Sequence, residues 1–213
     1  MNRLANIEKP RLVTFTGFDD RTPISNMMLL SDRFPVEWGV LVSKTNRDAR
    51  FPSEQAIKEL SRAGLRLSCH LCGQAAYDYQ TRNQMLPRYL EDRWFSRIQV
   101  NGDWINLLPR SGGTIYQSRD ETGWPEYDAV DYLFDQSGGR GQVSEVFPPC
   151  PLGKYVGYSG GITPENVTDI LFKIGADKGC KYWIDIETGV RTNGWFDLNK
   201  CRRILKAVYD DEG

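Results

Sequence analysis

The chain has 213 residues, enough for one domain with a substantial buried core. Its 27 basic and 28 acidic residues are well mixed and leave a formal charge of -1, without the basic footprint of a nucleic-acid binder or a polybasic membrane anchor. No apolar run approaches the roughly 18 residues of a membrane span, the first residues lack the apolar core of a secretory signal, and five cysteines do not make a disulfide framework. The expected setting is the cytoplasm.

Apolar, strand-like runs alternate with helical or loop segments along the whole chain, the pattern of a parallel α/β fold. The first run covers 11–17. Thr22 and Pro23 then offer N-cap and first-turn chemistry for a helix carrying Ile24, Met27 and Met28, with Pro35 as its stop. A second run, 37–43, leads into a polar loop rich in Arg, Asp and Asn. Ser53 then caps a helix with Ile57 and Leu60 inward and Gly64 at its end.

The third run, 65–72, closes at Gly73, and 75–90 is helical in composition until Pro87 interrupts it. Runs four, five and six cover 95–101, 114–117 and 129–135. The pieces between them are punctuated by Pro or Gly, so the helices after strands 4 to 6 are expected to be short or missing. The seventh run, 154–158, meets Gly160 and Gly161. Thr163, Pro164 and Glu165 then read as a helix start, with Val167, Ile170, Leu171 and Ile174 at helical spacing and Gly175 as the stop. The eighth run, 181–187, precedes a last helix from about Leu198, capped by Asp197 and burying Cys201, Ile204, Leu205 and Val208. Eight alternating units favour a barrel over an open sheet, because closure removes the edge strands. The expected fold is a compact α/β (β/α)8 TIM barrel, one domain over 1–213.

Two adjacent glycines between a strand and a helix let backbone N–H groups approach a ligand, and the helix beyond favours negative charge. Gly160 and Gly161 therefore read either as a phosphate cradle or as an ordinary turn. Cys69-His70-Leu71-Cys72 has the residue types of a metal site, but there is no second pair, and strand alternation separates Cys69 from Cys72. His70 is the only histidine, so no metal site is expected. No residue pattern calls for a cofactor.

The stretch Gly160-Gly161-Ile162-Thr163-Pro164-Glu165-Asn166-Val167 resembles the Gly-Gly-Leu-Thr-Pro-Glu-Asn-Val segment of phosphoribosylanthranilate isomerases, which are (β/α)8 barrels of tryptophan biosynthesis. Leu133-Phe134-Asp135 followed by Gly138-Gly139-Arg140-Gly141 is similar to the family's Leu-Leu-Asp…Gly-Gly-Thr-Gly. Asp185-Ile186-Glu187-Thr188-Gly189-Val190 is similar to Asp-Val-Ser-Ser-Gly-Val, and 194–200 continues that match. Ala49-Arg50-Phe51-Pro52-Ser53 resembles the Ser-Pro-Arg segment, and Gln99 and Asn101 stand where the family reads Gln-Leu-His.

The resemblance implies Asp135 as the general acid that protonates the ribose ring oxygen. It implies a phosphate held near Gly139, Gly160, Gly161, Thr188 and Gly189, with Arg50 and Asp185 on the substrate. Arg50 also reads as a solvated loop residue and Asp185 as an architectural strand end. The family's first strand ends Lys-Ile-Cys-Gly, with the cysteine as general base; here Thr14-Phe15-Thr16-Gly17 takes its place. A threonine hydroxyl is a poor base near neutral pH. His70 or Cys72, which share one strand face, and Asp19 are the candidates to replace Thr16 in that role. Glu187, in place of a serine, brings negative charge toward the phosphate. The expected ligand is a phosphorylated small molecule and the expected function an acid–base isomerisation. A sugar-phosphate epimerase or lyase, or a non-catalytic barrel, stands as the alternative.

Overall fold

Eight short strands lie parallel, each pairing with the next: β1 (Leu12–Thr16), β2 (Val36–Ser43), β3 (Leu67–Cys72), β4 (Arg97–Val100), β5 (Thr114–Ser118), β6 (Asp131–Phe134), β7 (Tyr155–Tyr158) and β8 (Lys181–Ile186). β8 returns to pair with β1, with Thr14 opposite Asp185, and the barrel closes. This computed structural model describes residues 7–81, 90, 92–102, 113–126, 129–138 and 140–210. The helices are α1 (Ile24–Arg33), α2 (Glu54–Ser61), α3 (Gln74–Gln80), α4 (Val167–Ile174) and α5 (Leu198–Tyr209). Among the described residues no helix lies between β4 and β7, as the Pro and Gly punctuation predicts. A two-stranded hairpin, β9 (Arg191–Thr192) with β10 (Trp195–Phe196), sits between β8 and α5.

Strand alternation sorts the side chains into two layers. Val13, Phe15, Trp38, Val40, Leu71, Val156, Tyr182 and Ile184 point outward and form the main core with the helices. Inside the barrel a smaller apolar cluster of Leu12, Ile115, Leu133 and Trp183 is capped by partly buried Tyr155. Much of the remaining interior is polar, with Leu41 an apolar exception on the inward face of β2. Glu37 is fully buried and accepts hydrogen bonds from Arg97 Nη2 (2.6 Å), Arg97 Nε (3.1 Å) and Thr14 Oγ1 (3.1 Å). Burial pushes the Glu37 pKa up, but the Arg97 charge and its hydrogen bonds outweigh that and hold it below the ordinary value. The Arg97 guanidinium lies 4.1 Å from the Trp183 ring centroid, a cation–π contact that covers its face. This ion pair floors the barrel at its N-terminal end.

Two helix starts differ from expectation. α1 begins at Ile24 with Pro23 as N-cap, and the Thr22 hydroxyl bonds Asp19 Oδ1 (3.2 Å) instead of capping. α4 begins at Val167, not near Thr163. The Asn166 side chain accepts from Thr163 N (2.7 Å) and donates to the Gly161 carbonyl (2.9 Å), so residues 163–166 form a turn bonded within itself. Ser53 and Asp197 cap α2 and α5 as the sequence predicts. The expected helix over 75–90 runs from Gln74 to Gln80; residues 82–89, with Pro87, lie outside the described residues.

The ends of the barrel meet. Lys9 Nζ donates to the Tyr209 carbonyl (3.4 Å), and Tyr209 Oη donates to the Pro10 carbonyl (3.0 Å), on the face where the strands begin.

Candidate active site

The C-terminal ends of β6, β7 and β8 surround a cavity of about 40 Å³, room for roughly three waters. Asp135, Ser159, Gly160, Gly161, Asp185, Glu187 and Thr188 are among its walls. In this fold the functional groups come from that end of the strands.

Asp135 follows β6. Its backbone N–H is held by the Ser118 carbonyl (2.9 Å), and its Oδ1 accepts from Ser137 Oγ (2.8 Å). Gly160 and Gly161 have φ of +102° and +61°, which L side chains rarely adopt. A Cβ on Gly161 would stand 2.6 Å from Val143 N, so only glycine lets this turn close. The Ser144 hydroxyl beside them is buried and has no hydrogen-bond partner among the described residues. A Cβ on Gly160 would lie 3.9 Å from that hydroxyl and 3.9 Å from Asp135 Oδ1, so Gly160 sits between the two.

Asp185 closes the other side. Its Oδ1 accepts from Thr16 Oγ1 at 2.7 Å, and its Oδ2 lies 3.8 Å from His70 Nδ1. Burial drives the Asp185 pKa up to about 7, opposed by the Thr16 hydrogen bond and helped by Glu187, Asp135 and Glu37. His70 is buried too, with Nε2 2.9 Å from Ser68 Oγ, and burial lowers its pKa to about 3. Near neutral pH the imidazole is uncharged, and the contact with Asp185 is not an ion pair. Gly39 makes room for this group: a Cβ there would lie 2.3 Å from Thr16 Oγ1 and 3.0 Å from His70 Nε2.

The other residues singled out in the sequence fall as follows. Cys72 ends β3 outside the cavity wall, accepts from Asn101 Nδ2 (3.3 Å), and burial pushes its thiol up to about 11. Arg50 is taken up by carboxylates: Nε and Nη2 bond Asp48 (3.0 and 3.1 Å), and Nη1 bonds Glu187 (2.9 Å). Burial raises the Glu187 pKa, and Arg50 pulls it back. Asp19 accepts from Phe196 N (2.7 Å), Arg21 N (3.1 Å) and Thr22 Oγ1, and lies 3.6 Å from Arg191. It anchors the β9–β10 hairpin. Gly189 packs on the chain after β7, where a Cβ would meet the Ile162 carbonyl at 1.7 Å. Gly139 lies outside the described residues. Sequence reasoning missed Ser137, Ser144 and Ser159; the Asp-x-Ser spacing of 135–137 is the one available signal, since it lets the hydroxyl reach back to the carboxylate.

Comparison with known proteins agrees with this architecture. Residues 116–207, from β5 into α5, match the family described as N-(5'phosphoribosyl)anthranilate (PRA) isomerase. A multifunctional tryptophan biosynthesis protein of Schizosaccharomyces pombe is 27% identical over 120 residues, 52% of this chain and 15% of that protein. The chain therefore corresponds to a small part of the length of that relative. Among solved structures, the phosphoribosyl anthranilate isomerase from Thermus thermophilus superposes with a TM-score of 0.61 at 18% identity, covering 92% of this chain and 97% of the other. That from Thermococcus kodakaraensis gives 0.56 at 15% identity, covering 94% and 100%.

Proposed function

We propose that this phosphoribosylanthranilate isomerase-like (β/α)8 barrel is an enzyme that isomerises a phosphorylated aminosugar by acid–base chemistry, with Asp135 as the general acid. The observation that carries the reading is the shared cavity: Asp135, Asp185 and the Gly160–Gly161 backbone face one space at the C-terminal end of the strands. A carboxyl group there can hand a proton to a ring oxygen while a phosphate rests on glycine backbone. The unpartnered Ser144 hydroxyl beside Gly160 supports an anionic group at that position, because a buried hydroxyl without a partner costs free energy that a ligand oxygen recovers.

Thr16 does not act as a base in this reading, since its hydroxyl proton is engaged with Asp185. The absence of a thiol there favours a second reading, a phosphate-ligand-binding barrel without turnover. The two separate on one assay. Phosphoribosylanthranilate, generated in situ, is followed by loss of its fluorescence with the intact protein and with Asp135→Asn. The isomerase reading expects turnover that falls on the order of a hundred- to ten-thousand-fold in the variant. Binding of phosphate without turnover leaves the second reading standing and removes the first.

A further inference from the structure

We infer that Asp185 is the general base of this site, taking a proton from carbon while Thr16 positions it as a hydrogen-bond donor. The inference rests on the isomerase reading above and extends it to a residue on the opposite wall of the cavity.

The geometry leaves few other groups. A base must reach the cavity and must have an acceptor atom to offer. His70 and Cys72 are absent from the cavity wall; the imidazole is bonded to Ser68, and the thiol is bonded to Asn101. Glu187 reaches the wall but is tied to Arg50. Asp19 is spent on the β9–β10 hairpin and the turn at Thr22. Asp185 lines the cavity, accepts from Thr16 through Oδ1, and has Oδ2 turned toward a neutral imidazole rather than a cation.

The two wall carboxylates also live in different surroundings. Asp135 is bonded by Ser137 at the rim, whereas Asp185 is set between β1, β3 and β8 with Glu37, His70, Asp135 and Glu187 as its charged or titratable neighbours. Burial pushes the Asp185 pKa up to about 7, toward the operating pH that suits a group taking and returning a proton.

The proton accounting closes. Asp135 gives its proton to the ring oxygen as the C1–O bond breaks, leaving an open-chain iminium. Asp185 takes the proton on C2; the C–H pair becomes the C1–C2 double bond, and the C–N π pair settles on nitrogen. Asp185 returns that proton to C1 as the enol becomes a ketone, and the enol hydroxyl proton restores Asp135. No oxidant, reductant or metal is needed.

The test uses the intact protein, Asp185→Asn and Thr16→Val, with pH profiles of kcat/KM for phosphoribosylanthranilate. Asp185→Asn is expected to lower kcat on the order of a hundred- to ten-thousand-fold with KM little altered. Thr16→Val removes a donor that favours the charged carboxylate, so the acidic limb of the profile should move to higher pH. A merely structural role would not move that limb. Adding Thr16→Cys to Asp185→Asn supplies a thiol at the same place and should restore part of the turnover. An active wild type whose Asp185→Asn variant turns over equally fast, or a Thr16→Val profile that stays in place, overturns the inference alone. A wild type without turnover overturns the isomerase reading and this inference together.

Discussion

Arg50 and Glu187 stand 137 residues apart in sequence and meet beside the cavity, with Nη1 and Oε1 separated by 2.9 Å. The pair joins the loop after β2 to the loop after β8. It neutralises the negative charge that Glu187 brings toward the glycine turn, and it keeps the Arg50 guanidinium from any incoming anion.

Replacing Glu187 by Gln should therefore strengthen anion binding. Both side chains are partly exposed, so solvent screening limits the gain to about 1 kcal/mol, or roughly fivefold in affinity. Titration calorimetry with inorganic phosphate checks this. Unchanged or weaker binding would mean that the anion does not rest against this pair.

The Glu37–Arg97 pair in the barrel floor should behave in the opposite way. Arg97→Met leaves the buried Glu37 carboxylate with only the more distant, exposed Arg66 (3.9 Å) and is expected to cost roughly 3–5 kcal/mol in urea denaturation. Adding Glu37→Leu removes the stranded charge, and most of the loss should return. A double variant as unstable as the single one contradicts this account.

Gly39→Ala tests the close packing between β1 and β3. The new methyl would collide with Thr16 Oγ1, at 2.3 Å, and press on His70. Overpacking of this kind costs roughly 1–3 kcal/mol. If the Thr16–Asp185 bond matters for turnover, kcat should fall along with the melting temperature. A stable protein with wild-type kcat would show that the bond can be displaced without consequence.

His70 and Asp185 give stability opposing dependences on pH. The His70 pKa falls from 6.5 to about 3 on folding, so its stabilising contribution is present above pH 6.5 and lost as pH drops toward 3. The Asp185 pKa rises from 3.8 to about 7, so its contribution is present below 3.8 and lost as pH rises through 7. Melting temperatures between pH 4 and pH 8 should thus decline less on the acid side in His70→Gln. Asp185→Asn should gain on the wild type as pH increases through 7. Parallel curves for all three proteins would contradict both assignments.

The barrel itself was legible because each strand carries its own pattern: an outward apolar row and a period of two. Ser53 and Asp197 were legible as caps for the same local reason. The start of α4 was not, because the Asn166 side chain bonds Thr163 and makes the Thr-Pro-Glu-Asn sequence a turn before it becomes a helix. Alternation put His70 and Cys72 on one strand face, yet nothing local announces that this face turns inward, that Ser68 engages the imidazole or that burial keeps it uncharged. The bond between Thr16 and Asp185 spans 169 residues. It exists because barrel closure sets β1 beside β8, and no window of sequence contains both partners. The Arg50–Glu187 pair was hidden likewise: each residue suggested a relation to phosphate, and their relation to one another needed the folded chain.

Where Lys9 and Pro10 touch Tyr209, the segment entering β1 and the segment leaving α5 stand side by side. Linking the segment before Lys9 to the segment after Tyr209 through a peptide that keeps residues 7–210, and opening the chain at the exposed turn near Glu121, would reorder the sequence while leaving every strand its neighbours. The junction would lie on the face away from the cavity, so such a rearranged protein should keep whatever chemistry the original performs.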